Sequence, residues 1–151
     1  MRAYRMTEWG GAPCLQDVDD PDPGPGQVLV EIAGCGLCHS DFTMRKMPRA
    51  IGEQLGWAMP FTLGHEIAGW VDGRPVALTA TASCGACRMC LRGKDNLCPA
   101  AMTGRGYGRD GGLARYVVAD RRALLPLGSL DPRTAGPLTD AGATALHAVR
   151  R

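Results

Sequence analysis

Four of the seven cysteines fall within fifteen residues, at Cys84, Cys87, Cys90 and Cys98, and this run limits the chain more than any other feature. Gaps of two, two and seven residues bring four sulfurs within reach of one ion, and zinc favours a tetrahedron of such soft ligands. A closed four-thiolate shell leaves no position for a substrate, so the expected role is structural. Bound zinc contributes on the order of 10–16 kcal/mol in sites of this kind, against a whole-domain net stability of about 5–15 kcal/mol. A lobe spanning about residues 82–100 should therefore take its order from metal. Iron–sulfur ferredoxins also close a cysteine run with Cys-Pro, as Cys98-Pro99 does, but their final gap is about three residues. Here it is seven, and a partner cysteine set is missing. Free buried thiols do not explain four cysteines so close together. Residues 1–10 carry charge and hold no apolar core of signal-peptide length, which favours metal over disulfides.

Outside the lobe the chain reads as mainly β with short helices. Glycine and proline are abundant, at 21 and 11, and aromatics reach only 5%, a mix that favours short strands joined by tight turns. The formal net charge is +2 with no block of one sign, so nothing points to nucleic acid or an anionic membrane surface. No segment approaches the roughly 20 apolar residues that span a bilayer, and a cytoplasmic protein is expected. Residues 19–26, DDPDPGPG, predict a turn delivering the chain into a strand over Gln27–Ala33, which Gly34 and Gly36 should break. Residues 38–41 then belong to a loop or helix start, with Ser40 or Asp41 able to cap it. Further strands are expected at Ile67–Val71, Arg74–Thr79, Leu113–Ala119 and Ala123–Leu127. Asp131-Pro132 is a good helix entry, and from Ala141 the small-residue run AGATALHAV reads as helical to the end. No capping glycine or turn follows, so a longer natural protein is expected. Residues 106–111, GYGRDG, match GxGxxG, but a dinucleotide site needs a strand before the glycines and a helix after them. A β-rich segment follows here, and a turn into a strand is the better reading.

Cys38 and His65 form a second constellation, each with a glycine close by, Gly36 and Gly64. Either alone is a weak signal, since a lone histidine is more often a satisfied core residue. Together they offer one thiolate and one imidazole, and a catalytic zinc needs three protein ligands and an open position. The runs GCGLCHSD (34–41) and PFTLGHEIAG (60–69) carry a plain resemblance to zinc-containing medium-chain alcohol dehydrogenases. The four-cysteine run, GGLARYVV (111–118) and LTDAGAT (138–144) follow in that family's order, so the resemblance covers essentially the whole chain.

The resemblance implies a GroES-like, partly open β-barrel carrying the four-cysteine lobe, with residues 1–151 forming the catalytic domain and no nucleotide-binding domain in this chain. It implies two zinc ions per chain and, in the full-length enzyme, NAD or NADP. Cys38 and His65 become ligands of a catalytic zinc. Many members place a cysteine before Ala-Gly as the third ligand; here Asp140 stands there, an acceptable zinc ligand, with a helix cap as its other reading. Glu66 would lie behind the zinc as a nearby charge or occasional fourth ligand. Asp41 would hold the other ring nitrogen of His65, and Ser40 would relay the proton of the bound alcohol. Members often extend that relay through a histidine where this chain has Thr43. His39 falls where members contact the cofactor pyrophosphate, and His147 is read as structural. Zinc would act as a Lewis acid while hydride passes between alcohol and nicotinamide. Trp57, Phe42 and Met59 suit either an apolar substrate pocket or the core. The stretch from Gly69 to Cys84 is short by roughly ten residues against the family pattern, a trim that loop-closure entropy tolerates. The resemblance also implies a small alcohol or carbonyl substrate and a homo-oligomer for the full-length enzyme. The competing reading is a non-catalytic zinc-binding barrel acting through partner binding, which would need no ligand set with an open position.

Overall fold

Val28 and Val30 are buried between the less buried Gln27, Leu29 and Glu31, and the ten-residue strand they begin is the axis of the fold. The structure, a computed structural model, describes residues 1–150. In chain order its strands and helices begin with β1 (Arg2–Met6), β2 (Cys14–Asp17), β3 (Gln27–Gly36), α1 (His39–Met44) and α2 (Arg49–Gln54). Then come β4 (Phe61–Thr62), β5 (Glu66–Val71), β6 (Arg74–Leu78), β7 (Gly104–Arg105) and β8 (Gly108–Arg109). The series closes with β9 (Tyr116–Asp120), β10 (Leu124–Pro126), α3 (Pro132–Ala135) and α4 (Ala141–Val149). Five strands form a curled antiparallel sheet in the order β10-β6-β5-β3-β9, and β1 joins β2 and β4 in a second sheet. Val28, Val30, Ile67, Val76, Leu78 and Val117 fill the barrel. A separate cluster of Met6, Met44, Trp57, Phe61 and Leu63 joins the second sheet to α1. Among the described residues, no helix is long and apolar enough to cross a membrane.

The strand end expected at Gly34 and Gly36 is corrected. Gly34 and Gly36 do not end the strand: β3 runs through both, with a register irregularity between Ile32 and Gly34. They are glycines because other groups press close. A Cβ on Gly34 would meet the Arg133 carbonyl, and one on Gly36 would overlap the Glu66 carboxylate. The GYGRDG loop likewise wraps another glycine. Gly111 donates to Thr62 and Gly112 to Gly64, both at 2.8 Å, and a Cβ on Gly106 would run into the Gly64 backbone.

The trimmed stretch after Gly69 has a local solution. Asp72 and Gly73 link β5 to β6 directly, with φ of 49° and 75°, the double positive φ of a type I′ hairpin turn. The lobe leaves the barrel and returns to it at one place, where Ala82 donates to Thr103 at 3.1 Å and Arg105 to Ala80 at 3.0 Å. Between these ends lie three single turns of 3-10 helix (Cys90–Arg92, Asp95–Leu97, Pro99–Met102) and little apolar burial. Asp131 caps α3 as expected, accepting from Arg133 N at 3.0 Å.

Candidate metal centres

Gly64, with φ of 90°, turns the chain so that His65 stands buried just before β5, at the head of the barrel. Opposite it, Cys38 occupies the N-cap of α1, which places its sulfur beside the ring. Neither Ser40 nor Asp41 is the cap residue. Asp41 is instead the third helical residue, and its Oδ2 accepts the Cys38 N–H at 2.9 Å, half of a capping box. Asp140 arrives from the turn between α3 and α4. One ligand atom from each of Cys38, His65 and Asp140 lies within 4.8 Å of the others, and His65 Nε2 sits 3.0 Å from Asp140 Oδ2.

The chemistry of this cluster suits a cation. His65 Nδ1 faces Asp41 Oδ1 at 3.2 Å, yet both atoms are buried and neither makes a hydrogen bond. An ion on Nε2 holds the ring with its proton on Nδ1, toward Asp41, and so answers both orphaned atoms. Without an ion, burial works against charge on the ring more than any other single effect. The Asp41 carboxylate, then Cys38 and Asp140, outweigh it and lift His65 to about 9. Asp140 occupies the N-cap position of α4, as its helix-cap reading places it, but its side chain makes no bond to the helix. Ser40 Oγ lies 3.2 Å from His65 Nε2. Glu66, behind the cluster and buried, accepts the Ala141 N–H at 3.0 Å.

A cleft of about 490 Å³ opens on the cluster, lined in part by Ser40, Trp57, His65, Tyr107, Thr139 and Asp140. Trp57 belongs to cleft and core at once and donates its indole N–H to Met102 O at 3.0 Å. Met59 packs beside that core, while Phe42 is exposed on α1, 6.2 Å from the His39 ring. His39 is exposed, and His147 is exposed on α4. Tyr107 lies inside the GYGRDG run, yet nothing in that run pointed to it as a site residue. Its ring stands edge-on to His65 at 6.1 Å, and burial followed by the Asp140 charge pushes its hydroxyl up to about 12. The glycines around it hid its reach into the cleft.

The four sulfurs of Cys84, Cys87, Cys90 and Cys98 also lie within 4.8 Å of one another. Backbone N–H groups face them: Cys84 N lies 3.3 Å from the Cys98 sulfur, Cys87 N 3.3 Å from that of Cys84, and Ala100 N 3.4 Å from that of Cys98. The amides of Ala86 and Cys87 draw the Cys84 thiol down to about 6, and such donors favour the thiolates a zinc ion requires. Cys35 stays outside both clusters, and burial pushes its thiol up to about 12.

Residues 24–129 match the family model of the alcohol dehydrogenase GroES-like domain. The whole chain aligns at 37% identity with an NAD-dependent alcohol dehydrogenase of Sulfurisphaera tokodaii, covering 48% of that protein. The structure superposes on the alcohol dehydrogenase of Aeropyrum pernix with a TM-score of 0.87 at 31% identity, over 99% of this chain and 47% of that one. A thermostable alcohol dehydrogenase of Pyrobaculum aerophilum, solved with cobalt and zinc bound, gives 0.83 at 26% identity, over 99% and 48%. The chain thus spans about half the length of the curated relatives it matches.

Proposed function

From the premise that this chain belongs to the zinc-type alcohol dehydrogenase family through its GroES-like domain, we propose that it is the catalytic half of an enzyme interconverting alcohols with aldehydes or ketones, with NAD or NADP as hydride acceptor. Cys38, His65 and Asp140 hold the catalytic zinc, and Cys84, Cys87, Cys90 and Cys98 hold the structural one. The observation that carries this reading is the convergence of one sulfur, one imidazole nitrogen and one carboxylate oxygen on the wall of an open cleft. Three protein ligands leave a position for substrate oxygen. Zinc held there supplies a Lewis acid that stabilises negative charge on that oxygen.

The side chains divide the remaining work. Ser40 Oγ, beside His65 Nε2, takes the hydroxyl proton as the alcohol is oxidised and returns it in reduction. Thr43 is exposed on the same helix, so the proton leaves Ser40 through solvent. Asp41 ties the Cys38 backbone and the His65 ring to one carboxylate, fixing two ligands with a single buried group. Trp57, Met44 and Tyr107 line the cleft on its apolar side and keep water from the carbon that loses hydride. His39, exposed at the start of α1, would contact the phosphates of a bound NAD or NADP. We assign the nucleotide-binding domain and the subunit contacts to the half of the relatives' length that this chain does not span.

Metal content measured by plasma mass spectrometry tests the assignment. Two zinc ions per chain are expected, falling to one in Cys38→Ala. One zinc, unchanged by that substitution, would leave a structural zinc module and sink the catalytic reading.

A further inference from the structure

Asp140 stands at the N-cap of the nine-residue helix α4 without doing what an aspartate there usually does. Its backbone is non-helical (φ −131°, ψ −76°), and its carboxylate makes no bond to the helix N–H groups. It reaches His65 instead. An N-cap aspartate ordinarily turns its carboxylate onto the exposed N–H groups of the first turn. If Asp140 did so here, the proposed third ligand would be withdrawn from the cluster.

The missing acceptor comes from another strand. Glu66 Oε1 receives the N–H of Ala141, the first residue of α4, at 3.0 Å. The Glu66 carboxylate reaches that point only because residue 36 is glycine, since a Cβ there would overlap Oε2. The Glu66 backbone is pinned as well, pairing with Gly36 across β3 and β5 and lying against Gly136. A rigid, fully buried carboxylate thus meets the first amide of a helix whose own cap residue is turned elsewhere.

We propose that Glu66 is a positioning residue that caps α4 in place of Asp140 and so leaves the Asp140 carboxylate free to bind the ion. This inference rests on the zinc reading of Cys38, His65 and Asp140, and it assigns Glu66 a role distinct from a nearby charge or a fourth ligand. An accepting oxygen is what the role demands, so glutamine fulfils it and alanine does not.

Cobalt(II) titration of the 151-residue chain separates the possibilities. The four-thiolate lobe and the mixed Cys-His-Asp cluster differ in thiolate-to-cobalt absorption, so the lobe is an internal standard for folding. The chain should take up two cobalt ions. Glu66→Gln should keep the second site within about threefold, whereas Glu66→Ala weakens it by about tenfold or more, the range seen when a ligand's supporting contact is lost. Gly36→Ala retains Glu66 but displaces its carboxylate. It should weaken the same site without touching the lobe, and it tests the contact if Glu66→Ala does not fold. Glutamine as damaging as alanine would make the charge the operative feature and overturn the capping role. Alanine as tight as the unaltered chain would overturn it too. Uptake of a single cobalt by the unaltered chain would instead fail the zinc reading itself.

Discussion

A single carboxylate decides much at the smallest scale. Asp41 is 2% exposed, accepts the Cys38 N–H through one oxygen and faces the His65 ring with the other. Asp41→Ala removes both supports, and the second metal ion should bind about 10–100-fold more weakly while the lobe's ion is unaffected. Asp41→Asn retains one acceptor and should fall between the two. Competition titration against a chelating dye measures both, and equal affinity in all three proteins would remove Asp41 from the site. Cys38 and His65 were legible because a glycine lies close to each and a thiolate-imidazole pair suggests metal. Asp140 was legible only through the family resemblance, since nothing local separates a ligand aspartate from a helix cap. The place of Asp41 beside His65 was legible through the resemblance, but its bond to the Cys38 N–H was not, because that depends on how α1 starts. Tyr107 was not either: it enters the cleft from a glycine-rich loop whose packing onto Gly64 is a tertiary fact.

Among the elements, the cysteine lobe is joined to the barrel by side chains as well as by the pairing of its two ends: Trp57 holds Met102 near one end, and Arg122 reaches the lobe itself. Arg122, in the turn between β9 and β10, donates to Asp95 Oδ1 at 2.6 Å. Its guanidinium also lies over Gly85, where a Cβ would collide with Nη1. It therefore touches both the Cys84–Cys87 loop and the turn before Cys98. The ion pair itself is exposed enough to contribute little, so the expected effect is kinetic. Arg122→Ala should release the lobe zinc to a chelator severalfold faster, and Gly85→Ala should do the same by displacing the guanidinium. The second zinc should be unaffected. Unchanged release in both variants would reduce Arg122 to an ordinary surface cation. β3 and β9 were readable from alternation because each buries one face in the core, whereas β5 is buried on both faces and was readable only as a short apolar run bounded by turn residues. β1, β2, β4 and α2 were not assigned: they are short, and β1 pairs with β4 far along the chain. Gly34 and Gly36 misled because a glycine that ends a strand and one that admits a neighbouring backbone look alike in sequence.

For the molecule as a whole, α4 is the one α-helix among the described residues that finds no cover. None of its residues is buried, and Leu146 and Val149 are 48% and 82% exposed, with Leu138 just before the helix at 55%. Leu146 and Val149 are three residues apart and share a helix face, and clustered apolar exposure of this kind favours association. The barrel architecture came from the family resemblance, because alternation alone does not reveal how strands close. The bare face of α4 follows from the fold, since the run AGATALHAV has the composition of a helix packed on something. The isolated chain should self-associate as its concentration rises, seen by sedimentation velocity. Leu146→Glu combined with Val149→Glu should return it to the monomer with both metal ions retained. A chain monomeric at near-millimolar concentration would show that this face is tolerated in water. Association that persists in the double variant would move the sticky surface elsewhere, with exposed Leu37 and Ile51 next to be charged.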